Sequence, residues 1–333
     1  MQKSSFAFIA TLGLGITFLL YSVSLQANPL SVCSAYAQDS VLAQIKNTKS
    51  ECGLTGELWS PSFRQHKTWC LSQSNRKSVV RQRSLQKTQQ LERCGRTMQR
   101  QLPWAQLTFR VQNKLFGELI STIPMDDLET LVLFEKEGVN LNFEWRLIDG
   151  GLLYWAISNQ AYRVSNYLIE NWAANPNLTA NGGPNPLVKL LNNAPDVNYF
   201  FLEYLLKNGA RPNHGGEDYS DESFPLLAAV ANNDLKSAQI LLKYNANPNL
   251  YESVPPLMIA VYRNNSQMVD LLLNSGANPN VGLEGLNCQD IQKRQAQGEL
   301  LALDSALTAK NSFVINALIS RGAKTTQQCL SRS

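Results

Sequence analysis

The sequence predicts an all-α fold: an elongated solenoid of helix-turn-helix units behind a small disulfide-linked helical domain. Two observations predict the solenoid. A tail motif recurs at near-constant spacing, and a second motif recurs about twenty residues before each tail. A third observation, four cysteines inside a strongly basic stretch, predicts the leading domain. The 333 residues exceed what one small core needs, which agrees with two domains or an extended array.

The tails are Leu241-Leu242-Lys243-Tyr244-Asn245-Ala246-Asn247-Pro248-Asn249 and Leu271-Leu272-Leu273-Asn274-Ser275-Gly276-Ala277-Asn278-Pro279-Asn280. Upstream copies are Leu205-Leu206-Lys207-Asn208-Gly209-Ala210-Arg211-Pro212-Asn213, Ala173-Ala174-Asn175-Pro176-Asn177 and the looser Glu137-Gly138-Val139-Asn140-Leu141-Asn142. Their final asparagines fall at 142, 177, 213, 249 and 280, in steps of 35, 36, 36 and 31. A period in the thirties marks stacked helical units.

The second motif reads Pro186-Leu187-Val188-Lys189-Leu190, Pro225-Leu226-Leu227-Ala228-Ala229 and Pro256-Leu257-Met258-Ile259-Ala260, with weaker copies at 152–156 and 302–306. Proline at a first helical position sacrifices no intrahelical bond. Alanine is small where neighbouring helices approach closely. The tail leucine pairs supply the core between units, and Gly209 and Gly276 end their helices in the left-handed conformation.

Together the motifs resemble the ankyrin repeat, a turn and two antiparallel helices followed by a Gly-Ala-(Asp/Asn)-x-Asn loop. The resemblance covers about 113–326 and implies an ankyrin-repeat domain of about six repeats. A tetratricopeptide array has a similar period, but Asn-Pro-Asn after a glycine stop argues against it. One departure is plain: the family's Thr-Pro-Leu-His keeps only Pro-Leu, with Leu227 and Met258 at the histidine position. The side-chain hydrogen-bond network of that histidine is therefore not expected. The last unit begins 46 residues beyond its predecessor, with 281–298 inserted, and a tail follows at 327–333. A Cys288–Cys329 bridge would pin the insertion to the C-terminal cap, where one face lacks a stacking neighbour.

The resemblance implies binding of another protein through loop tips and the concave face of the first helices. Carried onto this chain, the first-helix positions are Trp155, Ser158, Lys189, Asn192, Tyr262 and Arg263, and the loop tips offer Tyr219, Asp221, Tyr251 and Glu252. Aromatics and arginine dominate interface energies. The competing reading of Trp155 and Tyr262 is packing against neighbouring helices.

The N-terminus carries Lys3, an apolar run from Phe6 to Leu20, and Ser24-Leu25-Gln26-Ala27. That is the layout of a secretory signal peptide over 1–27, cleaved after Ala27, and it places the protein in the periplasm or outside a bacterial-type cell. The alternative is an uncleaved inner-membrane anchor, because Phe6 to Leu25 is about long enough to span a bilayer. A lipoprotein would use Cys33, but Val32 is bulkier than the residue usual there.

Residues 28–112 hold thirteen Lys and Arg against four Asp and Glu, whereas 113–333 hold sixteen against twenty-two. A basic domain at 28–103 thus precedes an acidic solenoid. Its flanks, Ala35 to Thr48 and Lys77 to Gln101, read as helices around a turn-rich middle. Six cysteines in an oxidising compartment favour bridges. Two helices folded around a loop suit the nested pairs Cys33–Cys94 and Cys52–Cys70, contributing about 4 and about 3 kcal/mol through chain entropy. Four cysteines allow two other pairings. Cys52-Gly, Gly56-x-x-Trp59, His66-x-x-Trp69-Cys70 and Leu91-x-x-Cys94 resemble a small Cys-rich helical domain of proteobacterial secreted proteins. That resemblance implies location and fold, and no chemistry.

The basic helix from Arg76 to Arg100 could touch an anionic surface, or simply present a solvated face leaning on the acidic solenoid. Nucleic acid is not expected as a partner, since export removes the usual target. With two histidines, His66 and His214, no His-pair metal site can form. Nucleophile-elbow, His-Glu-x-x-His and phosphate-loop motifs are missing. The acidic run at 217–222 lacks the ligand alternation of an EF-hand. An enzyme built on the Cys-rich domain would have only His66 and Trp69 to work with. No catalytic residue, metal or cofactor is expected, and the chain reads as an interaction scaffold or adaptor of the cell envelope. The alternative is a dedicated inhibitor or immunity-type protein for one envelope enzyme or toxin.

Overall fold

A computed structural model describes residues 28–95, 106–141, 151–179, 185–214, 224–251, 254–294 and 301–331. The expected signal peptide lies outside them. Among the described residues the regular structure is helical, apart from one isolated bridge between Gly282 and Leu301.

Three helices form the N-terminal module: α1 (Pro29–Lys49), α2 (Phe63–Ser72) and α3 (Arg76–Gly95). Asn28 caps α1 by accepting the Leu30 N–H, and Pro29 takes the first helical position. The middle helix interrupts what the sequence reading treated as a turn-rich loop. Its signal is Ser62-Phe63-Arg64-Gln65, a capping-box pattern, and the Ser62 hydroxyl does accept the Gln65 N–H.

That extra helix overturns the nested disulfides. Cys33 pairs with Cys70, and Cys52 with Cys94. The physical reason is the alternation of three helices. Cys33, near the start of α1, meets the end of antiparallel α2, while Cys52, just past α1, meets the end of α3. Joining Cys52 to Cys70 would have to span α2, ten residues and about 15 Å long. Cys288 does pair with Cys329, tying the insertion to the tail.

Six helix pairs follow: α4 (Phe109–Ile120) and α5 (Leu128–Lys136); α6 (Gly151–Ser158) and α7 (Tyr162–Trp172); α8 (Pro186–Leu191) and α9 (Tyr199–Lys207); α10 (Pro225–Ala231) and α11 (Leu235–Lys243); α12 (Pro256–Tyr262) and α13 (Ser266–Asn274); and, beyond α14 (Cys288–Arg294), α15 (Ala302–Ala309) and α16 (Ser312–Ser320). A short α17 (Thr326–Leu330) packs on α14. Most second helices open on an Asn or Asp cap: Asp127, Asn198, Asp234, Asn265 and Asn311 each accept a backbone N–H from the first turn.

Helix pairs stack into one continuous apolar core, which runs from Val41 and Ile45 of α1 to Val314 and Leu318 of α16. Leu227 and Met258, where the ankyrin pattern has histidine, are buried, so apolar packing stands where that pattern has a polar network. The N-terminal module is therefore joined to the array by core as well as by chain. It docks through α1 and α2, and the basic α3 packs on those two helices. Gln44 and Thr48 donate to Glu118 at 2.8 and 2.6 Å, Lys49 reaches Glu137, and Ser62 donates to Asp127 at 2.6 Å.

The tail asparagines link each loop to the next. Oδ1 of Asn177, Asn213, Asn249 and Asn280 accepts the N–H of Arg211, Asn247, Asn278 and Lys324, at 2.7–2.8 Å. Their Nδ2 atoms donate to the carbonyls of Gly209, Asn245, Gly276 and Gly322, at 2.8–3.1 Å. The earlier Asn of the motif works locally: Asn175, Asn247 and Asn278 accept the N–H two residues on, forming an Asx turn. Asn213→Ala breaks both links and is expected to lower stability by about 1–2 kcal/mol in chemical denaturation, with Asn213→Asp, which keeps the acceptor, losing about half as much.

Candidate partner-binding face

Aligning the first helices on their Pro-Leu and Ala positions defines two rows of side chains. Trp155, Lys189, Ala228, Ile259 and Ser305 are equivalent, as are Ser158, Asn192, Ala231, Tyr262 and Thr308. Rows three residues apart share one face of a helix. Trp155 is 39% exposed and Tyr262 54% exposed, so neither is a core residue. Asn192 and Arg263 are exposed, and Lys189 is half-buried.

Two expected site residues are corrected. Ser158 does not face solvent: its short side chain leaves the hydroxyl oxygen sealed in the helix stack. Tyr251 is not a free loop tip. It is half-buried against the repeat core and lies on the following turn, where a Cβ on Gly285 would come within 2.6 Å of its hydroxyl. Gly285, at φ +72, is thus required for both the turn and the close approach. Arg263 is partly committed, donating to the Val230 carbonyl of the preceding repeat at 3.5 Å. Asn232, one repeat earlier in the same register, donates to the Leu191 carbonyl at 3.0 Å. Tyr219, Asp221 and Glu252 lie outside the described residues.

The second helices are cross-braced. Tyr167 donates to Glu135, Tyr204 to Glu170 at 3.0 Å and Tyr244 to Glu203 at 3.2 Å, each tyrosine reaching back one repeat. Trp172 also donates to Glu135. Burial and the Glu170 carboxylate push the Tyr204 phenol up to about 12; the hydrogen bond to Glu135 does the same for Tyr167. These hydroxyls stay protonated and act as fixed donors. On the same helices, sequence reading missed Phe200 of α9. It is 89% exposed, at a position filled by Arg163, Lys236 and Gln267 in other repeats.

In the N-terminal module, two basic side chains of α3 turn inward, while Lys77, Arg81 and Arg93 are exposed. Lys87 is buried between the rings of Tyr36 and Trp59, with Nζ 5.3 and 6.0 Å from their centroids. Burial, then the Arg83 charge, lower its pKa to about 7, opposed by the Asp39 carboxylate. Arg83 stacks on Trp69 at 3.7 Å. His66 is buried with Nε2 2.8 Å from the Ser60 carbonyl, and burial followed by the Lys87 charge lower its pKa to about 4. Trp59 donates to Gln90. His66 and Trp69 thus belong to a packed core that braces α1, α2 and α3. Among the described residues, no three His, Cys, Asp or Glu side chains gather as a metal site, and no helix is long and apolar enough to cross a membrane.

The family described as Ankyrin repeats (3 copies) matches residues 190–283 and 226–329. No curated protein matches the chain. Among solved structures, an ankyrin repeat domain from Acinetobacter baumannii AYE is 20% identical with a TM-score of 0.49, covering 62% of this chain and 98% of that one. The human ASB11 ankyrin repeat domain is 22% identical with a TM-score of 0.44, covering 62% and 84%. A chain in the complex of the Bdellovibrio bacteriovorus predatory endopeptidase Bd0816 with immunity protein Bd3460 is 23% identical with a TM-score of 0.46, covering 61% and 96%. The matched segments coincide with helix pairs stacked in the register that the recurring tails define, and the array has the ankyrin-repeat fold.

Proposed function

We propose that this protein is an interaction scaffold or adaptor, exported to the bacterial cell envelope, that holds another protein on the face of its first helices. The exposed Trp155 and Tyr262 carry the proposal. Both rings sit in the first-helix rows and remain open. Exposed aromatic side chains are among the usual hot spots of protein recognition. The engagement of all six cysteines in bridges supports an oxidising compartment.

Capture from an envelope extract tests this reading. Trp155→Ala with Tyr262→Ala is expected to abolish capture while leaving the melting temperature nearly unchanged, since truncating a hot spot costs about 2 kcal/mol or more of binding. Retained capture would end the proposal. One stoichiometric enzyme partner would identify a dedicated inhibitor of the immunity type; several structural partners would identify a scaffold.

A further inference from the structure

Helix α3 carries six Lys and Arg against one acid, Glu92. Two of its cations are used inside the module, Arg83 over Trp69 and Lys87 between Tyr36 and Trp59. Lys77, Arg81 and Arg93 instead stay exposed with the array in place.

Residues four apart form a ridge along a helix. Lys77, Arg81, Leu85, Gln89 and Arg93 make such a ridge, about 24 Å long, and all five are exposed. Leu85 is 56% exposed and stands midway, about 12 Å along the axis from either end. The helix packs on α1 and α2, which in turn pack on α4 and α5, so the ridge stands on the outer layer of the module.

We propose that this ridge lies on the surface of a bilayer rich in anionic phospholipid, its cations on phosphate headgroups and Leu85 among the acyl chains. Three observations select a bilayer. Cations without an interspersed acid along the ridge complement an anionic sheet. A bare leucine at the centre, with long cationic side chains able to snorkel on either side, suits an interface with hydrocarbon directly beneath its phosphates. A nucleic-acid backbone or an acidic polymer offers no such layer. Finally, α3 begins close to where the chain leaves its apolar run. Pro29 and Val32 of α1 line one surface depression with Asn75, Arg76 and Lys77, and Phe6 to Leu20 lie just upstream. A run of that kind engages a bilayer as signal peptide or anchor, which brings Lys77 to the same membrane. This proximity rests on the export proposed above, whereas the make-up of the ridge does not.

Vesicle flotation of the purified protein tests it. Phosphatidylcholine vesicles with about one-third phosphatidylglycerol are expected to bind at least about a hundredfold more tightly than pure phosphatidylcholine, and to release the protein in high salt. Any contribution of the apolar N-terminal run is common to both vesicles and cancels. Lys77→Gln, Arg81→Gln and Arg93→Gln combined are expected to weaken binding to the anionic vesicles roughly a hundredfold, with an unchanged melting curve. Leu85→Gln leaves every charge in place and should weaken it about fivefold. Equal binding to the two vesicle types overturns the proposal, as does a triple variant that binds as tightly as the wild type. Tighter binding to double-stranded DNA than to the anionic vesicles, with Leu85→Gln without effect, would make the ridge a polyanion site and overturns it too.

Discussion

Replacing Cys33 and Cys70 together by alanine is expected to destabilise the N-terminal module by about 4 kcal/mol, the chain-entropy value for a loop closed across 37 residues. The module has little else to draw on. Its own apolar cluster is Cys33, Tyr36 and Cys70 with Trp69, Leu71 and Val80 packed around them. The effect should spread, because Val41 and Ile45 of α1 belong to the array's core and α1 and α2 pack on α4 and α5. Reduction of the wild type, which opens the Cys52–Cys94 loop as well, should split unfolding into two steps, the module and first repeat melting before the central repeats. Melting curves with and without reductant, followed by hydrogen exchange of α1 and α13, read this directly. Identical curves would show that the bridges contribute nothing to the folded state.

Lys87→Met is expected to stabilise the protein at neutral pH by on the order of a few kcal/mol. A folded pKa of about 7 against an ordinary 10.5 means the fold disfavours the charged amine. Between these values the unfolded chain holds more protons, so wild-type stability rises with pH across that window. Methionine fills the same aromatic slot without a charge and removes this slope. His66 adds a second acid-sensitive window with the same sign. Its pKa falls from 6.5 to about 4 on folding, so the stability it contributes is present above 6.5 and lost as pH falls toward 4. Denaturation midpoints of the wild type and Lys87→Met from pH 5 to 10 check both. A slope that survives the substitution would place the alkaline titration elsewhere.

How far the sequence could be read depended on how local the physics was. Asn-Pro-Asn was legible because each asparagine has one fixed task, the first closing an Asx turn and the second linking forward. The Pro-Leu helix starts were legible for the same reason, and the C-terminal disulfide because Cys288 and Cys329 are the two cysteines outside the N-terminal module. The crossed disulfides were not, because they follow from α2, whose Ser62 cap is hidden among the turn-forming residues before it. Nor was the Tyr–Glu bracing visible: Tyr204 and Glu170 sit 34 residues apart and meet only once the repeats stack. At the candidate face, row position marked Trp155 and Tyr262 correctly as surface residues. It failed for Ser158 and Tyr251, whose surroundings are set by neighbouring helices and by Gly285.

The loop-to-loop asparagine links run in one direction, each reaching toward the C-terminus. Asn280 makes the same pair of bonds to Gly322 and Lys324 as Asn249 makes to Gly276 and Asn278, although its partners lie 42 and 44 residues away instead of 27 and 29. The stitch therefore measures geometry and ignores how much chain intervenes. New segments can be spliced into such an array during evolution wherever the two loops still arrive side by side, and the insertion bearing Cys288 shows one that was accommodated without dropping a stitch.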